Sequence, residues 1–272
     1  MRIVHYNNGK HTHFYDAMKQ EKFSEQTVLW VKRHSDKLMT FSITRPATYR
    51  FAAGQFSRLG FKDGNGFIWR AYSIMSPEYA DTLDYFAVLI QNGEMSEYLN
   101  KLKTGDTVLL DNNATGFFLP QRFTDGKQLV MLSTGSGIAP FLSHIRQPEI
   151  RERFEKIVLT HSVSYSNDLI FSGSLKNGLA DDPLVGEYHS QFLYIPITTR
   201  EETGGLNARI PELLRSGALE KACGFAFSKQ DTRFMVCGNP QMVEDTLRAL
   251  IELGYQMHRN RVAGEIIVEN GF

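Results

Sequence analysis

The amino-acid sequence predicts a two-domain protein, with an antiparallel β-barrel first and then an α/β domain whose parallel sheet carries helices on both faces. Before Pro120, short alternating or β-branched runs are separated by turns that contain glycine. After Pro120, solid apolar runs alternate with segments of helical spacing, and the polar stretch Arg122–Gly126 separates the two patterns. We therefore expect an N-terminal extension at residues 1–22, the barrel at 23–122 and the α/β domain at 123–272.

The predicted barrel strands are short. In the second strand, Met39, Phe41 and Ile43 fall on one face at a period of two residues, as expected for a strand with a buried side. One helical segment is expected at about Ser96–Leu102, before the turn Thr104-Gly105-Asp106. The expected strands are Gln26–Lys32, Leu38–Thr44, Gln55–Leu59, Trp69–Ile74, Tyr85–Gln91 and Thr107–Asp111.

The second half has the alternation that is typical of a parallel sheet, because its apolar runs resemble strands buried on both faces. Met242, Thr246 and Leu250 recur at helical spacing, and Gly254 marks the end of that helix. The expected strands are Gln128–Leu132, Ile157–Thr160, Phe192–Ile197 and Phe234–Cys237, and the expected helices are Ile138–Ile145, Pro211–Leu214 and Met242–Leu253.

Charge and cysteine content narrow the function classes. Lys and Arg together number 30, as do Asp and Glu, so the net charge is zero and argues against nucleic acid or an anionic membrane as a partner. The two cysteines, Cys223 and Cys237, lack metal-ligand spacing and are too few for an iron–sulfur cluster, so no metal is expected. The chain shows neither a signal-peptide pattern nor an apolar run of about 18 residues, so we expect a cytoplasmic protein.

The segment Arg70-Ala71-Tyr72-Ser73 brings an arginine, an aromatic ring and a hydroxyl to the end of a predicted barrel strand. An arginine binds two phosphate oxygens with its fork, and an aromatic ring stacks on a planar heterocycle. A hydroxyl hydrogen-bonds a ring nitrogen. The alternative is an ordinary strand with alternating sides, and the segment alone leaves both interpretations open.

The segment Gly93-Glu94-Met95-Ser96 follows a strand and opens a helix. Backbone N–H groups at a helix start form an anion site, and Ser96 is expected to cap this helix. The alternative is an ordinary N-cap without a ligand, so this segment is weak evidence by itself.

Two glycine-containing segments follow apolar strands in the second half. Thr134-Gly135-Ser136-Gly137-Ile138-Ala139-Pro140 lets the backbone approach a pyrophosphate, although it matches neither the Rossmann fingerprint nor a P-loop. Cys237-Gly238-Asn239-Pro240 ends another strand. Because ligands of open α/β sheets lie at the carboxyl ends of strands, Cys237 lies beside Thr134 if the two strands are neighbours. The alternatives are a plain glycine turn and a small buried cysteine.

The order of these four segments resembles the ferredoxin–NADP reductase superfamily, and most closely its bacterial ferredoxin/flavodoxin–NADP reductases. The likeness runs from about Lys22 to Phe272 and includes Phe51–Phe56, Leu102–Val108 and Val268–Phe272. It implies that the barrel binds FAD and that the α/β half binds NADP(H). It further implies a monomeric enzyme that takes a hydride from NADPH and passes single electrons to ferredoxin or flavodoxin, a separate chain.

The resemblance also implies roles at the flavin. Arg70 would hold the FAD pyrophosphate, and Tyr72 would pack on the isoalloxazine ring. The implied catalytic residues are Ser73 near flavin N5, Cys237 beside the nicotinamide and Glu269 at the flavin edge.

For NADPH, the resemblance points to Thr199 and Arg200, just past a strand end, and to Arg209 as contacts of the 2′-phosphate. The alternative is a pair of surface arginines without a specific contact. The sequence has Ser164 where some relatives carry a further arginine, so use of NADH stays open. The implied cofactor-binding residues are Arg70, Ala71, Tyr72, Ser73, Met95, Ser96, Thr134, Gly135, Gly137, Thr199, Arg200, Arg209, Gly238 and, stacked on the FAD adenine, Phe272.

Two other functions stay open on the same residues. One is a reductase component of an oxygenase, or an NAD(P)H-dependent flavin or ferric reductase, on the same fold. The other is a non-catalytic nucleotide-binding module, since barrels also bind single strands through aromatic and basic surfaces. The zero net charge and the glycine-rich turn argue against the second.

Overall fold

The computed structural model describes residues 22–64 and 66–271. The strands are β1 Phe23–Arg33, β2 Leu38–Thr44, β3 Phe56–Asp63, β4 Gly66–Ser73, β5 Thr82–Val88, β6 Thr107–Asp111, β7 Gln128–Thr134, β8 Lys156–Val163, β9 Phe192–Thr198, β10 Thr232–Gly238 and β11 Ile266–Asn270. The α-helices are α1 Glu94–Lys101, α2 Ala139–His144, α3 Pro148–Arg153, α4 Ser172–Leu175, α5 Ile210–Arg215, α6 Ala218–Cys223 and α7 Pro240–Glu252. The predicted N-terminal extension lies outside the described residues except for Lys22.

The first six strands form an antiparallel sheet in the order β4-β3-β6-β1-β2-β5. Ile74, directly after β4, forms an antiparallel bridge with Tyr85 of β5, so the two edge strands meet and the sheet closes. Met39, Phe41 and Ile43 are fully buried in the barrel core. Burial stabilises the fold by roughly 1.5–3 kcal/mol for each such side chain. The predicted antiparallel barrel is confirmed.

The other five strands form a parallel sheet in the order β11-β10-β7-β8-β9. Alternate residues of β7 point to opposite faces. Leu129 and Met131 pack with α2 and α3, whereas Val130 and Leu132 pack with α5, α6 and α7. Burial on both faces explains why this strand reads as an uninterrupted apolar run. The predicted α/β domain with helices on both faces is confirmed.

The two halves share a continuous apolar contact. Phe86 and Phe118, from the first half, belong to the same buried cluster as Phe141 of α2. The Phe118 and Phe141 rings lie 5.3 Å apart. At the edge of this contact, the buried Ser143 hydroxyl donates a hydrogen bond to the Ser76 carbonyl oxygen at 2.8 Å. These contacts fix the position of the barrel against the carboxyl ends of the parallel strands.

Several features of the chain differ from the prediction. β3 continues to Asp63 and β4 begins at Gly66, because the two strands pair over their full lengths. β5 ends at Val88 and not at Gln91, because the Gly93 N–H donates to the Ile90 carbonyl oxygen at 3.0 Å and closes a turn. β11 was also not expected, although Ile266, Ile267 and Val268 form an apolar β-branched run; it pairs with β10 in parallel register. The short helices α3, α4 and α6 were also not expected.

Among the described residues, no helix combines the length and the apolar composition needed to cross a membrane.

Candidate functional site

A cleft of about 810 Å³ opens at the carboxyl ends of β7, β8, β9 and β10, which is where open α/β sheets bind ligands. Phe86 and Val88 of β5 form its wall on the barrel side. The predicted residues that line this cleft are Thr134, Gly135, Thr199, Arg200, Arg209 and Gly238. The structure thus brings together predicted residues that are more than a hundred positions apart in the chain.

The two glycine-containing strand ends lie side by side, as predicted. Ser133 of β7 pairs with Cys237 of β10 in the parallel register, and the Asn239 N–H donates to the Thr134 hydroxyl at 3.2 Å. A Cβ atom on Gly137 would overlap the Cys237 carbonyl oxygen. The close approach of the two backbones therefore requires glycine at this point of the turn.

Cys237 and Glu269 lie side by side at the ends of two neighbouring strands, outside the cleft lining. They are register partners between β10 and β11, and Cys237 is buried. Burial, with a contribution from the neighbouring carboxyl, raises the pKa of the Cys237 thiol well above its ordinary value. Burial also raises the pKa of Glu269 from 4.5 to about 7. This corner therefore holds a neutral thiol and a carboxyl that exchanges a proton near neutral pH.

Arg200 and Arg209 present free cationic groups to the cleft. Both side chains are exposed and line it, and neither guanidinium forms a hydrogen bond or an ion pair with another described residue. Arg200 follows β9, and its N–H donates to the Ser164 carbonyl oxygen at 3.0 Å. Arg209 directly precedes α5. Unpaired arginines in a cleft fit a phosphate ligand.

The Arg70–Ser73 segment lies on β4, away from the lining of the cleft. Arg70 Nη2 is 3.2 Å from Glu94 Oε2, an exposed ion pair that a phosphate can replace. Tyr72 packs against the barrel core, and burial raises its pKa. The Ser73 hydroxyl forms no hydrogen bond with another described residue. One arginine, one ring and one free hydroxyl are thus available on this strand.

The start of α1 differs from the prediction. Gly93, not Ser96, is the N-cap residue. The Ser96 hydroxyl is buried and accepts a hydrogen bond from the Ile90 N–H at 2.8 Å, which closes the turn before the helix. Met95 is buried in the barrel core. The N–H groups of the first turn of α1 have no acceptor within the helix. They lie at the same end of the helix as the ion pair between Glu94 and Arg70.

The segment after β4 connects the barrel residues with the cleft. Ile74 follows Ser73 and bridges to Tyr85, and the next residue of β5, Phe86, lines the cleft. Tyr72, Ser73, Cys237 and Glu269 are not among the lining residues. Phe272, the predicted adenine contact, lies outside the described residues.

Sequence reasoning did not select His161 as a site residue. It lines the cleft from β8, two residues before the strand ends, and its Nε2 lies 3.1 Å from the Gly135 carbonyl oxygen. Burial lowers its pKa to about 4, so the ring is neutral and donates to that carbonyl. The sequence did contain a signal for this residue, because His161 directly follows the predicted strand Ile157–Thr160.

Comparison with known proteins agrees with this architecture. Residues 26–116 match the family described as the oxidoreductase FAD-binding domain, and residues 131–248 match the oxidoreductase NAD-binding domain. A ferredoxin–NADP reductase of Azotobacter vinelandii is 36% identical over 250 residues, which cover 91% of this chain and 96% of the relative. A flavodoxin/ferredoxin–NADP reductase of Rhodobacter capsulatus is 35% identical over 91% of this chain and 92% of its own length.

A solved structure shows the same arrangement. The ferredoxin NADP+ reductase of Neisseria gonorrhoeae, with bound FAD and NADP, superposes with a TM-score of 0.87 at 56% identity. The match covers 92% of this chain and 99% of that protein. The chain therefore belongs to the ferredoxin–NADP reductase family.

Proposed function

We propose that this chain is an FAD-dependent reductase that takes a hydride from NADPH and passes electrons one at a time to ferredoxin or flavodoxin. The observation that carries the proposal is the cleft in which the ends of β7 and β10 face the barrel wall formed by β5. This arrangement supports a nicotinamide on the α/β side and a flavin on the barrel side. FAD, when bound, supplies the conversion of a two-electron hydride into single electrons.

The barrel residues fit the chemistry of FAD. The guanidinium of Arg70 and the free N–H groups at the start of α1, including those of Met95 and Ser96, suit a pyrophosphate. Tyr72 offers a ring for an isoalloxazine, and the free Ser73 hydroxyl offers a hydrogen bond to a ring nitrogen. Ala71 lies between Arg70 and Tyr72 in the chain and has no polar side-chain atom to offer a ligand. These residues are the ones we propose to hold the flavin.

The cleft residues fit NADPH. Gly135 leaves the backbone bare where a pyrophosphate would approach it, because nothing lies within 4 Å of its Cβ position. Gly137 and Gly238 instead let the two strand ends approach each other. Arg200 and Arg209 would bind the 2′-phosphate, and a charge-assisted hydrogen bond is worth roughly 1.5–3 kcal/mol. Since about 1.4 kcal/mol is tenfold in affinity, one arginine accounts for about a tenfold to hundredfold preference for NADPH.

Cys237 and Glu269 would act on the hydride step without forming a bond to the substrate. The neutral, buried thiol supports a dry surface beside the nicotinamide, where water does not compete. The Glu269 carboxyl holds its proton up to about pH 7, so it offers a hydrogen-bond donor at the flavin edge. Thr134, held by Asn239, would fix the other side of the nicotinamide.

We also propose that the protein is a cytoplasmic monomer that binds its electron carrier as a separate chain. Both cysteines are free, which supports a reducing compartment. The zero net charge supports the absence of nucleic acid as a partner.

Anaerobic stopped-flow spectroscopy of the FAD-loaded protein tests the function. NADPH should bleach the flavin absorbance, and later mixing with ferredoxin or flavodoxin should restore it. If free FMN or ferric chelate accepts electrons faster than either carrier, the function is that of a flavin or ferric reductase. A folded protein that cannot be reconstituted with FAD contradicts the proposal entirely.

A further inference from the structure

The outer wall of the cleft is built from two loops, residues 164–168 after β8 and residues 199–207 after β9. Both contribute lining residues, among them Ser164 and Arg200. Leu206 anchors the end of the second loop to the sheet through a bridge to Ile197 of β9. The start of this loop, at residues 199–201, instead contacts the end of β8 and the first loop.

A single carboxylate joins these loops. Glu201 Oε2 accepts a hydrogen bond from the Ser166 N–H at 2.6 Å. This hydrogen bond lowers the pKa of Glu201, so the group is charged at neutral pH. A second contact lies beside it, because the Arg200 N–H donates to the Ser164 carbonyl oxygen at 3.0 Å.

The backbone of Glu201 is held from the other side. Its carbonyl oxygen accepts hydrogen bonds from the Thr198 hydroxyl at 2.6 Å and from the Asn207 side-chain amide. The next residue, Glu202, is exposed and forms no hydrogen bond with the described residues. Two adjacent glutamates therefore have the same charge but very different surroundings.

The carboxylate of Glu201 does not neutralise its neighbour. Arg200 forms no ion pair with it or with any other described residue, so the guanidinium has no protein partner that a ligand in the cleft must displace. A carboxylate next to a phosphate site ordinarily weakens anion binding. Loss of this repulsion would lower the KM for NADPH, whereas loss of the hydrogen bond to the Ser166 N–H would raise it, so the direction of the change separates the two effects.

We infer that Glu201 is a positioning residue for nucleotide selectivity: by joining the two loops, it holds Arg200 where the 2′-phosphate of NADPH binds. This inference rests on the proposed function, in which Arg200 reads that phosphate. Because the phosphate is absent from NADH, loss of the Glu201 contact impairs NADPH use more than NADH use.

A double-mutant cycle tests the inference in the FAD-loaded protein, with KM and kcat measured for NADPH and NADH. Glu201→Ala should raise the KM for NADPH about threefold to tenfold, change the KM for NADH less than about twofold and leave kcat unchanged. In an Arg200→Ala background, Glu201→Ala should change the KM for NADPH by less than about twofold, because the guanidinium that Glu201 positions is no longer present. Glu201→Gln keeps an acceptor oxygen for the Ser166 N–H and should stay close to wild type.

The matched control is Glu202→Ala, which removes an equal charge one residue away and should leave both KM values unchanged. The inference is wrong if Glu201→Ala lowers the KM for NADPH, if Glu201→Gln behaves like Glu201→Ala, or if the two single effects simply add. If Arg200→Ala itself leaves the NADPH preference intact, the proposed 2′-phosphate site fails first, whatever Glu201 does. If Glu201→Ala does not fold, Ser166→Pro removes the N–H that Glu201 accepts and should raise the KM for NADPH in the same way, because Tyr165 already has the extended backbone that precedes a proline.

Discussion

Cys237 of β10 lies directly beside Glu269 of β11 in the parallel register. The sheet therefore brings a buried thiol and a carboxyl of raised pKa to the same corner, under the turn that contains Thr134 and Gly137. Neither side chain forms an ion pair with a cationic side chain among the described residues. Both are thus uncharged in a range of pH where exposed carboxylates are ionised.

Glu269→Gln should stabilise the protein in a pH-dependent way. The pKa of Glu269 is about 7 in the folded protein and 4.5 in the unfolded chain. Between these two pH values Glu269 ionises only in the unfolded chain, so its contribution to the stability of wild type falls as the pH rises from 4.5 to 7. The amide does not ionise. We expect the variant to gain about 3 kcal/mol in the free energy of unfolding relative to wild type at about pH 8, and little near pH 4.5, as measured by urea unfolding. An equal difference at both pH values would contradict the raised pKa, and Glu202→Gln serves as the exposed control.

Cys237→Ser should slow flavin reduction by NADPH while FAD stays bound. The replacement keeps the size of the side chain but places a hydroxyl in a buried apolar cluster, where it lacks the partner that it needs. We expect a single-turnover rate about tenfold or more below wild type, with unchanged flavin absorbance. The other buried cysteine gives the control, because Cys223→Ser alters a helix in a different cluster. Equal rates for both variants and wild type would show that Cys237 only packs.

The sequence could predict the neighbourhood of the two glycine-containing ends because parallel strands all end at one edge of the sheet. It could not predict the role of Ser96. Serine is a favoured N-cap, yet the Ile90 N–H binds its hydroxyl and Gly93 becomes the cap. That choice depends on how the preceding turn packs on the barrel, which local propensity does not contain.

Long-range pairing limited the rest of the prediction. β11 is defined by its register with β10, and the contact between Cys237 and Glu269 follows only from that register. Likewise, the joining of residues 164–168 and 199–207 depends on β8 and β9 being neighbours. The motif around Arg200 was visible in the sequence, whereas the hydrogen bond from Ser166 to Glu201 required the fold.

Arg70→Ala should weaken FAD binding without loss of the fold. Its side chain is half-exposed and its ion pair with Glu94 is solvated, so little stability depends on it. Loss of a charge-assisted contact to a pyrophosphate costs roughly 1.5–3 kcal/mol, so we expect the Kd for FAD to rise about tenfold to hundredfold, as measured by flavin fluorescence. Arg58→Ala is the matched control, because Arg58 lies on the adjacent strand β3 and is equally exposed. A similar loss of FAD in both variants would remove the specific role of Arg70.

Gly137→Ala should separate the two strand ends and impair NADPH and NADH alike. The new Cβ would overlap the Cys237 carbonyl oxygen and lie 2.6 Å from Gly238 Cα, so one backbone must move. Overpacking of this kind costs about 1–3 kcal/mol, and we expect the KM for both nucleotides to rise about tenfold while FAD stays bound. Gly173→Ala is the control, since nothing lies within 4 Å of its Cβ position. Because Gly137 packs against β10 and not against the arginines proposed to bind the 2′-phosphate, a change in the NADPH preference would contradict this prediction.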